Sequence, residues 1–172
     1  MAENAASECI KLGQPTAAHK QLEQFVGKWS YDVTFRMAKG GDEMKSKGTS
    51  SYEMVLGGRY VEGHTRGEPS AFSPDGFEGR DLLGYDNGRG EYTGIWIDSA
   101  STAPMISKGQ WKGRVLEMTG HYDNPMKGVK DQPFRNVVTF SEDGKSHTMD
   151  MYQPADDGTE FVAMHLALTR IE

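Results

Sequence analysis

From Trp29 the chain falls into strict alternation. Trp29, Tyr31, Val33, Phe35 and Met37 share one face, with Ser30, Asp32, Thr34 and Arg36 on the other. A period of two marks a half-buried β-strand. The same period, with less contrast, predicts strands over residues 51–56, 59–66, 77–86, 91–98, 105–111, 115–122, 134–140, 146–153 and 159–170. Turn formers separate many of them: Gly57-Gly58, Asn87-Gly88, Lys112-Gly113, Asp143-Gly144 and Asp157-Gly158. Such pairs supply the positive φ of tight hairpins. Polar stretches at 67–76, 100–104 and 123–132 read as longer loops. Ahead of the strands the period is helical. Leu22, Phe25 and Val26 form one apolar stripe within a short helix over 17–26, stopped by Gly27. Residues 1–15 are small, polar and aperiodic, which predicts a disordered tail before a single domain over 16–172.

About ten strands joined by hairpins, with no helix to carry a parallel crossover, predict an all-β, antiparallel, up-and-down β-barrel whose N-terminal helix plugs one end. Gly27-Lys28-Trp29 opens the first strand and Thr169-Arg170 closes the last. Closure brings those ends together, so the Arg170 guanidinium is expected on the Trp29 indole as a clasp. A closed barrel of this size has no free edges and holds room for one small ligand.

Composition narrows the function. A chain of 172 residues suffices for one core, and its net charge of −6 argues against nucleic acid and anionic membrane as partners. No apolar run approaches the ~20 residues that span a bilayer. Residues 1–20 lack the basic and apolar regions of a signal peptide, so a cytoplasmic location is expected. The single Cys9 forms no internal disulfide. Homodimerisation is left open.

Applying the dyad rule from the clasp places Tyr31 and Phe35 inside, together with Val162, Met164, Leu166 and Leu168 on the last strand. On the middle strands the richer apolar face groups Tyr60, Glu62 and His64; Phe77, Asp81, Leu83 and Tyr85; Tyr92, Trp96 and Asp98; Met105, Ser107 and Trp111; and Met149 with Met151. Residues 134–140 are ambiguous, because both faces carry Val. No His-x-His, C-x-x-C or H-E-x-x-H is present, so neither a metal site nor a cofactor is expected. No G-x-S-x-G marks a nucleophile, and the Gly-rich turns precede no helix that could cradle phosphate.

Several strings recur in an order that resembles an uncharacterised, mostly bacterial family of lipocalin-like barrels, known as a domain of unknown function. They are His19…Leu22…Gly27-Lys28-Trp29; Leu56-Gly57-Gly58-Arg59; Phe77-Glu78-Gly79-Arg80…Leu83-Gly84-Tyr85-Asp86; Trp96-Ile97-Asp98-Ser99; Gly109-Gln110-Trp111; Phe134-Arg135; and Met164…Thr169-Arg170. The resemblance implies a calycin-type barrel, akin to lipocalins, fatty-acid-binding proteins and haem-binding nitrobindins, and it implies an inward Arg135. It names no substrate. Asp81 departs from the pattern by standing where a small residue is expected, and Leu168 by standing where an aromatic is usual.

The expected function is binding of a small amphipathic or aromatic molecule between a Met-rich wall and the polar group around Glu62, His64 and Arg135, with Asp81 and Asp98 in or near the same cavity. The alternative is an isomerase, cyclase or lyase in which His64 moves a proton and Glu62 or Asp98 sets its charge. A haem or nitric-oxide barrel is a weaker third reading, resting on fold analogy. The ordinary alternative to all three is an ion network at the barrel mouth.

Overall fold

A computed structural model of the chain describes residues 2–70, 73–124 and 127–172, with side chains from Ser7 onward. Ten strands form one closed, antiparallel barrel in which each strand pairs with its sequence neighbours and β1 pairs with β10. They are β1 (Gly27–Phe35), β2 (Met44–Val55), β3 (Tyr60–Gly67), β4 (Phe77–Asp86), β5 (Glu91–Asp98), β6 (Met105–Lys112), β7 (Val115–Asn124), β8 (Val129–Phe140), β9 (Ser146–Pro154) and β10 (Glu160–Arg170). Before them run α1 (Ala2–Leu12), α2 (Ala17–Gln21) and a 3₁₀ turn (Leu22–Gln24). Among the described residues no helix is long and apolar enough to cross a membrane.

The plug comes from α2 and the 3₁₀ turn. Thr16 and His19 form a reciprocal capping box at its start, with Thr16 N–H donating to His19 Nδ1 at 3.0 Å. Its Leu22 and Phe25 pack against Val61, Leu83, Tyr92, Leu116 and Phe140, one cluster drawn from five strands. Tyr92 ties the plug to the wall by donating its hydroxyl to Ala18 O at 2.9 Å.

The clasp completes the plugged end. Trp29 and Arg170 are register partners on β1 and β10, and the guanidinium carbon lies 4.2 Å from the indole centroid. Arg170 also donates to the carbonyls of Gln24 and Val26, the last carbonyls of the plug, and to Gly144 O between β8 and β9. Trp29 Nε1–H donates to Phe25 O at 2.7 Å, and its side chain is fully buried. One Arg–Trp pair therefore joins the first strand, the last strand and the plug. Gly27 sits against it with φ +131°, where any side chain would collide with Arg170. That is why the motif opens with glycine.

Four expectations change. Residues 2–12 form helix α1 instead of an unstructured tail. Strand β2 begins at Met44 rather than 51, because its inward Ser46, Gly48 and Ser50 carry no apolar signal. Strand β8 likewise starts at Val129, inside the stretch expected to be loop; Pro125 and Met126 of that loop lie outside the described residues. A register shift between Val162 and Met164 pairs Phe161 with Gln153, which takes Val162 off the inward row and leaves Phe161 buried.

Trp29→Ala is expected to lower the unfolding free energy by about 3–5 kcal/mol, as a buried large-to-small change. Arg170→Lys should cost less, because an ammonium neither stacks on the indole nor spans both plug carbonyls. Denaturant unfolding measures both. Equal losses, or none, would contradict the clasp.

Candidate functional site

Cross-strand register decides which residues meet inside. One inward row runs Tyr52 (β2), Gly63 (β3), Asp81 (β4), Trp96 (β5) and Met105 (β6). The next row toward the open end runs Ser50, Thr65, Gly79 and Asp98. Rings lie flat across the glycines of these rows. A side chain at Gly63 would collide with the Tyr52 ring, and one at Gly79 with the Trp96 indole. Trp96 stacks on Phe77 with ring centroids 6.2 Å apart. The glycines thus leave room for the Tyr52 and Trp96 rings to pack against the barrel wall.

Burial divides the barrel in two. At the plugged end the inward Trp29, Val61, Leu83, Tyr92, Leu116, Phe140 and Leu168 are buried. Nearer the open end the inward Tyr52, Thr65, Asp81, Trp96, Asp98, Ser107, Met164 and Leu166 all keep accessible surface. Other inward residues, Ser50, Met118, Phe134 and Met151 among them, are buried, so the accessible interior is confined to part of this wall.

Asp81 dominates its electrostatics. Burial pushes its carboxyl up to about 7, and a hydrogen bond from Leu82 N–H only partly opposes the rise. Its remaining surface opens on the lumen, so bulk water solvates it poorly. Tyr52 beside it is held well above the usual tyrosine range, first by burial and then by the Asp81 charge. Asp98 is better supplied: it accepts from Trp96 Nε1 at 2.6 Å and from Ala100 N–H at 2.9 Å. On the opposite wall an uncharged network joins Tyr122, Asn124, Gln132 and Gln153; Gln153 Nε2 donates to Tyr122 OH at 2.8 Å and Gln132 Nε2 to Gln153 Oε1 at 3.0 Å. Between these walls Asn136 Oδ1 is buried without a donor.

The expected site residues separate accordingly. Tyr31, Phe35, Asp81, Trp96, Asp98, Met149 and Met151 stand on inward positions. Trp111 is inward too but packs at the plugged end, 5.7 Å from Phe140 and 6.0 Å from Phe25. Tyr60, Glu62 and His64 are outward, a correction. Val61, Gly63 and Thr65 take the inside because they face Met54, Tyr52 and Ser50 across the hairpin. His64 meets Arg80 at 2.8 Å and Glu62 at 3.5 Å on the outer surface. An acid–base pair of His64 with Glu62 or Asp98 inside the barrel is therefore not formed. Arg135 is also outward, 4.0 Å over the Tyr152 ring and 2.8 Å from Glu160. Its neighbours Phe134 and Asn136 point in.

The inward imidazole is His147, which no periodicity singled out. It lies 4.4 Å from Trp29 and 4.7 Å from Phe140 by ring centroids, behind the plug. Burial, then Arg170, lowers it to about 4. Packed so, it offers no face to a haem in the lumen. His165 is outward and bonded to Asp150 at 2.6 Å. A separate open cleft of about 430 Å³ is lined by Ser30, Asp32, Lys47, Arg66 and Glu68 among others. These are mostly outer-face residues, and Lys47 pairs there with Glu68 at 3.6 Å.

With this geometry in hand, the comparisons place the chain. It matches the family described as "Protein of unknown function (DUF1579)" over residues 14–170. The chain belongs to that family. No curated protein matches it in sequence. Among solved structures, the crystal structure of Rv2717c from M. tuberculosis is similar in fold, with a TM-score of 0.61 at 12% identity, covering 92% of this chain and 100% of that one. At that identity the likeness extends to the barrel alone.

The two buried titrations run in opposite directions. His147 is lowered on folding from an unfolded value near 6.5, so its contribution is full above pH ~6.5 and lost as pH falls toward 4, by about 3 kcal/mol in total. Asp81 is raised on folding, so its cost is absent below pH ~4 and grows as pH rises through 7. In urea unfolding from pH 4 to 8, Asp81→Asn should stabilise the protein above pH 5 by about 1–4 kcal/mol and leave pH 4 nearly unchanged. His147→Phe should flatten the acid limb instead. Variants whose pH profiles parallel the parent would refute both assignments.

Proposed function

We propose that this protein binds a small amphipathic or aromatic molecule in the lumen of its barrel. The observation that carries the reading is the inward pair Asp81 and Trp96, both partly accessible above a packed plug that Tyr52 reaches from the same row through Phe25. A domain that needed those side chains only for its core would bury them. An apolar moiety would lie against Met118, Met151, Met164 and Leu166, and its polar end would meet Asp81 and Tyr52. Methionine walls adapt to ligand shape, which suits a pocket of this kind. The lipocalin-like character expected from the sequence agrees with such a role. Catalysis through His64 gains no support, since its imidazole is on the outer surface.

Titration with the fluorescent probe N-phenyl-1-naphthylamine tests the reading. Saturable binding with energy transfer from the barrel tryptophans is expected, reduced in Trp96→Phe as signal and lost in Ser107→Phe as affinity, because a ring at 107 fills the lumen. The outer-face control Ile97→Ala should bind like the parent. No saturable binding, or binding indifferent to Ser107→Phe, would overturn the proposal.

A further inference from the structure

The lumen has an unbalanced polarity. Among the described strand residues, its inward positions carry two carboxylates, Asp81 and Asp98, and one cation, Arg170. Arg170 is spent at the plugged end on Trp29 and the carbonyls of Gln24 and Val26. Lys127 stands at the rim, 5.6 Å over the Phe161 ring on the far side of the barrel. The remaining Lys and Arg side chains of the strands occupy outward positions, where they meet acids: Arg80 with Glu62, Arg135 with Glu160, Arg66 with Glu78. So Asp81 has no cationic partner within the lumen. Asp98 already accepts two hydrogen bonds, whereas Asp81 draws on Leu82 N–H.

Hydrogen-bond supply tilts the same way. The Asn136 carbonyl oxygen, inward on β8, is buried with no donor. An unpaired acceptor on β8 thus accompanies a carboxylate without a cationic partner among the described residues. Asp81 moreover shares its inward row with two aromatic residues, Trp96 directly across on β5 and Tyr52 beyond Gly63 on β2, with Phe77 stacked on the indole. A carboxylate in one row with aromatic rings suits an organic cation: ring quadrupoles attract it and the acid supplies a charge-assisted hydrogen bond. A bare metal ion fits less well, since among the described residues no three His, Cys, Asp or Glu side chains gather where they could hold one.

We infer that the lumen selects a ligand bearing a protonated amine, seated on Asp81 between Tyr52 and Trp96, with an apolar body against the methionine wall. The inference rests on the lumen-binding reading and adds the ligand's chemical class. Without ligand, an ionised Asp81 is a poorly solvated charge, and the protein sheds that cost by keeping a proton. An ammonium replaces the proton. Binding near neutral pH must then release one, and affinity must rise with pH until Asp81 is fully ionised. Of the neighbours of Asp81, Tyr52 on β2 is held above the usual range, and Thr65 on β3 and Trp96 on β5 do not titrate.

Three probes of one shape make the test: 4-phenylbutylamine, 4-phenyl-1-butanol and 4-phenylbutyrate, titrated calorimetrically into the full chain. The amine should bind about 10- to 100-fold more tightly than the alcohol, the range of one charge-assisted hydrogen bond, and the carboxylate should bind weakest. At pH 7 the amine should release roughly half a proton, read from the dependence of binding heat on buffer ionisation, and almost none at pH 9. Asp81→Asn should bring the amine down to the alcohol and abolish the proton release; Asp98→Asn should leave that release in place. Thermal unfolding of each variant confirms that it is folded. Amine and alcohol binding equally, or amine binding without proton release, overturns the amine inference while lumen binding stands. No binding by any probe, with N-phenyl-1-naphthylamine also failing, overturns both.

Discussion

The stacking of Arg170 on Trp29 is the contact on which the rest of the barrel depends. It lies where the two ends of the sheet meet, so it closes the hydrogen-bonding ladder between β1 and β10. Because the same guanidinium bonds the last carbonyls of the plug, closing the sheet and closing the barrel's end are one event. Gly27 has no side chain because one would strike that guanidinium, and His147 stays neutral partly because of its charge. Around this point the aromatic rings of Phe25, Trp29, Phe140 and His147 pack edge and face. They supply the dense core that a small barrel needs if its other half is to remain open.

With stability concentrated at one end, the opposite half can carry groups that a packed core would reject. Asp81 is the clearest case. A carboxyl held near neutrality by burial is a local cost, and the plugged end is what makes it tolerable. The glycines at 63 and 79 serve the same purpose, letting the rings of Tyr52 and Trp96 lie against the wall rather than across the lumen. The outer surface meanwhile carries exposed ion pairs such as Arg80–Glu62 and Arg114–Glu142. Pairs of this kind contribute little to stability, but they keep the Arg and Lys side chains of the strands outside. The lumen is acidic as a result.

Family membership and a 12% identical structural neighbour establish the barrel. Its chemistry has to come from this chain's own residues. Asp81 is informative here: a position where a small residue was expected carries the group that gives the lumen its charge.

The architecture was legible in the order of residues. Alternation along β1, hairpin turns at Gly57-Gly58, Asn87-Gly88 and Asp143-Gly144, a helical stripe before Gly27 and the terminal Trp–Arg pair already implied a plugged, closed, ten-stranded barrel. Local signals suffice for this, because strand period and turn chemistry are properties of adjacent residues. Facing was legible only where one face was plainly richer, as on β1 and β4. On β3 the richer face, Tyr60, Glu62 and His64, turned out to be the outer one, because rings from neighbouring strands cover the inner positions and leave room for Val61, Gly63 and Thr65. The hairpin register opposite Met54 held that answer, had pairing been weighed above apolarity. On β5 the outward Ile95 and Ile97 are exposed isoleucines, so apolar content again decides nothing by itself. Tertiary structure alone decided which polar groups share the lumen. A site that draws Tyr52, Asp81, Trp96 and Asn136 from four strands exists only once cross-strand register is set, and register is a relation between distant segments that no window of sequence contains.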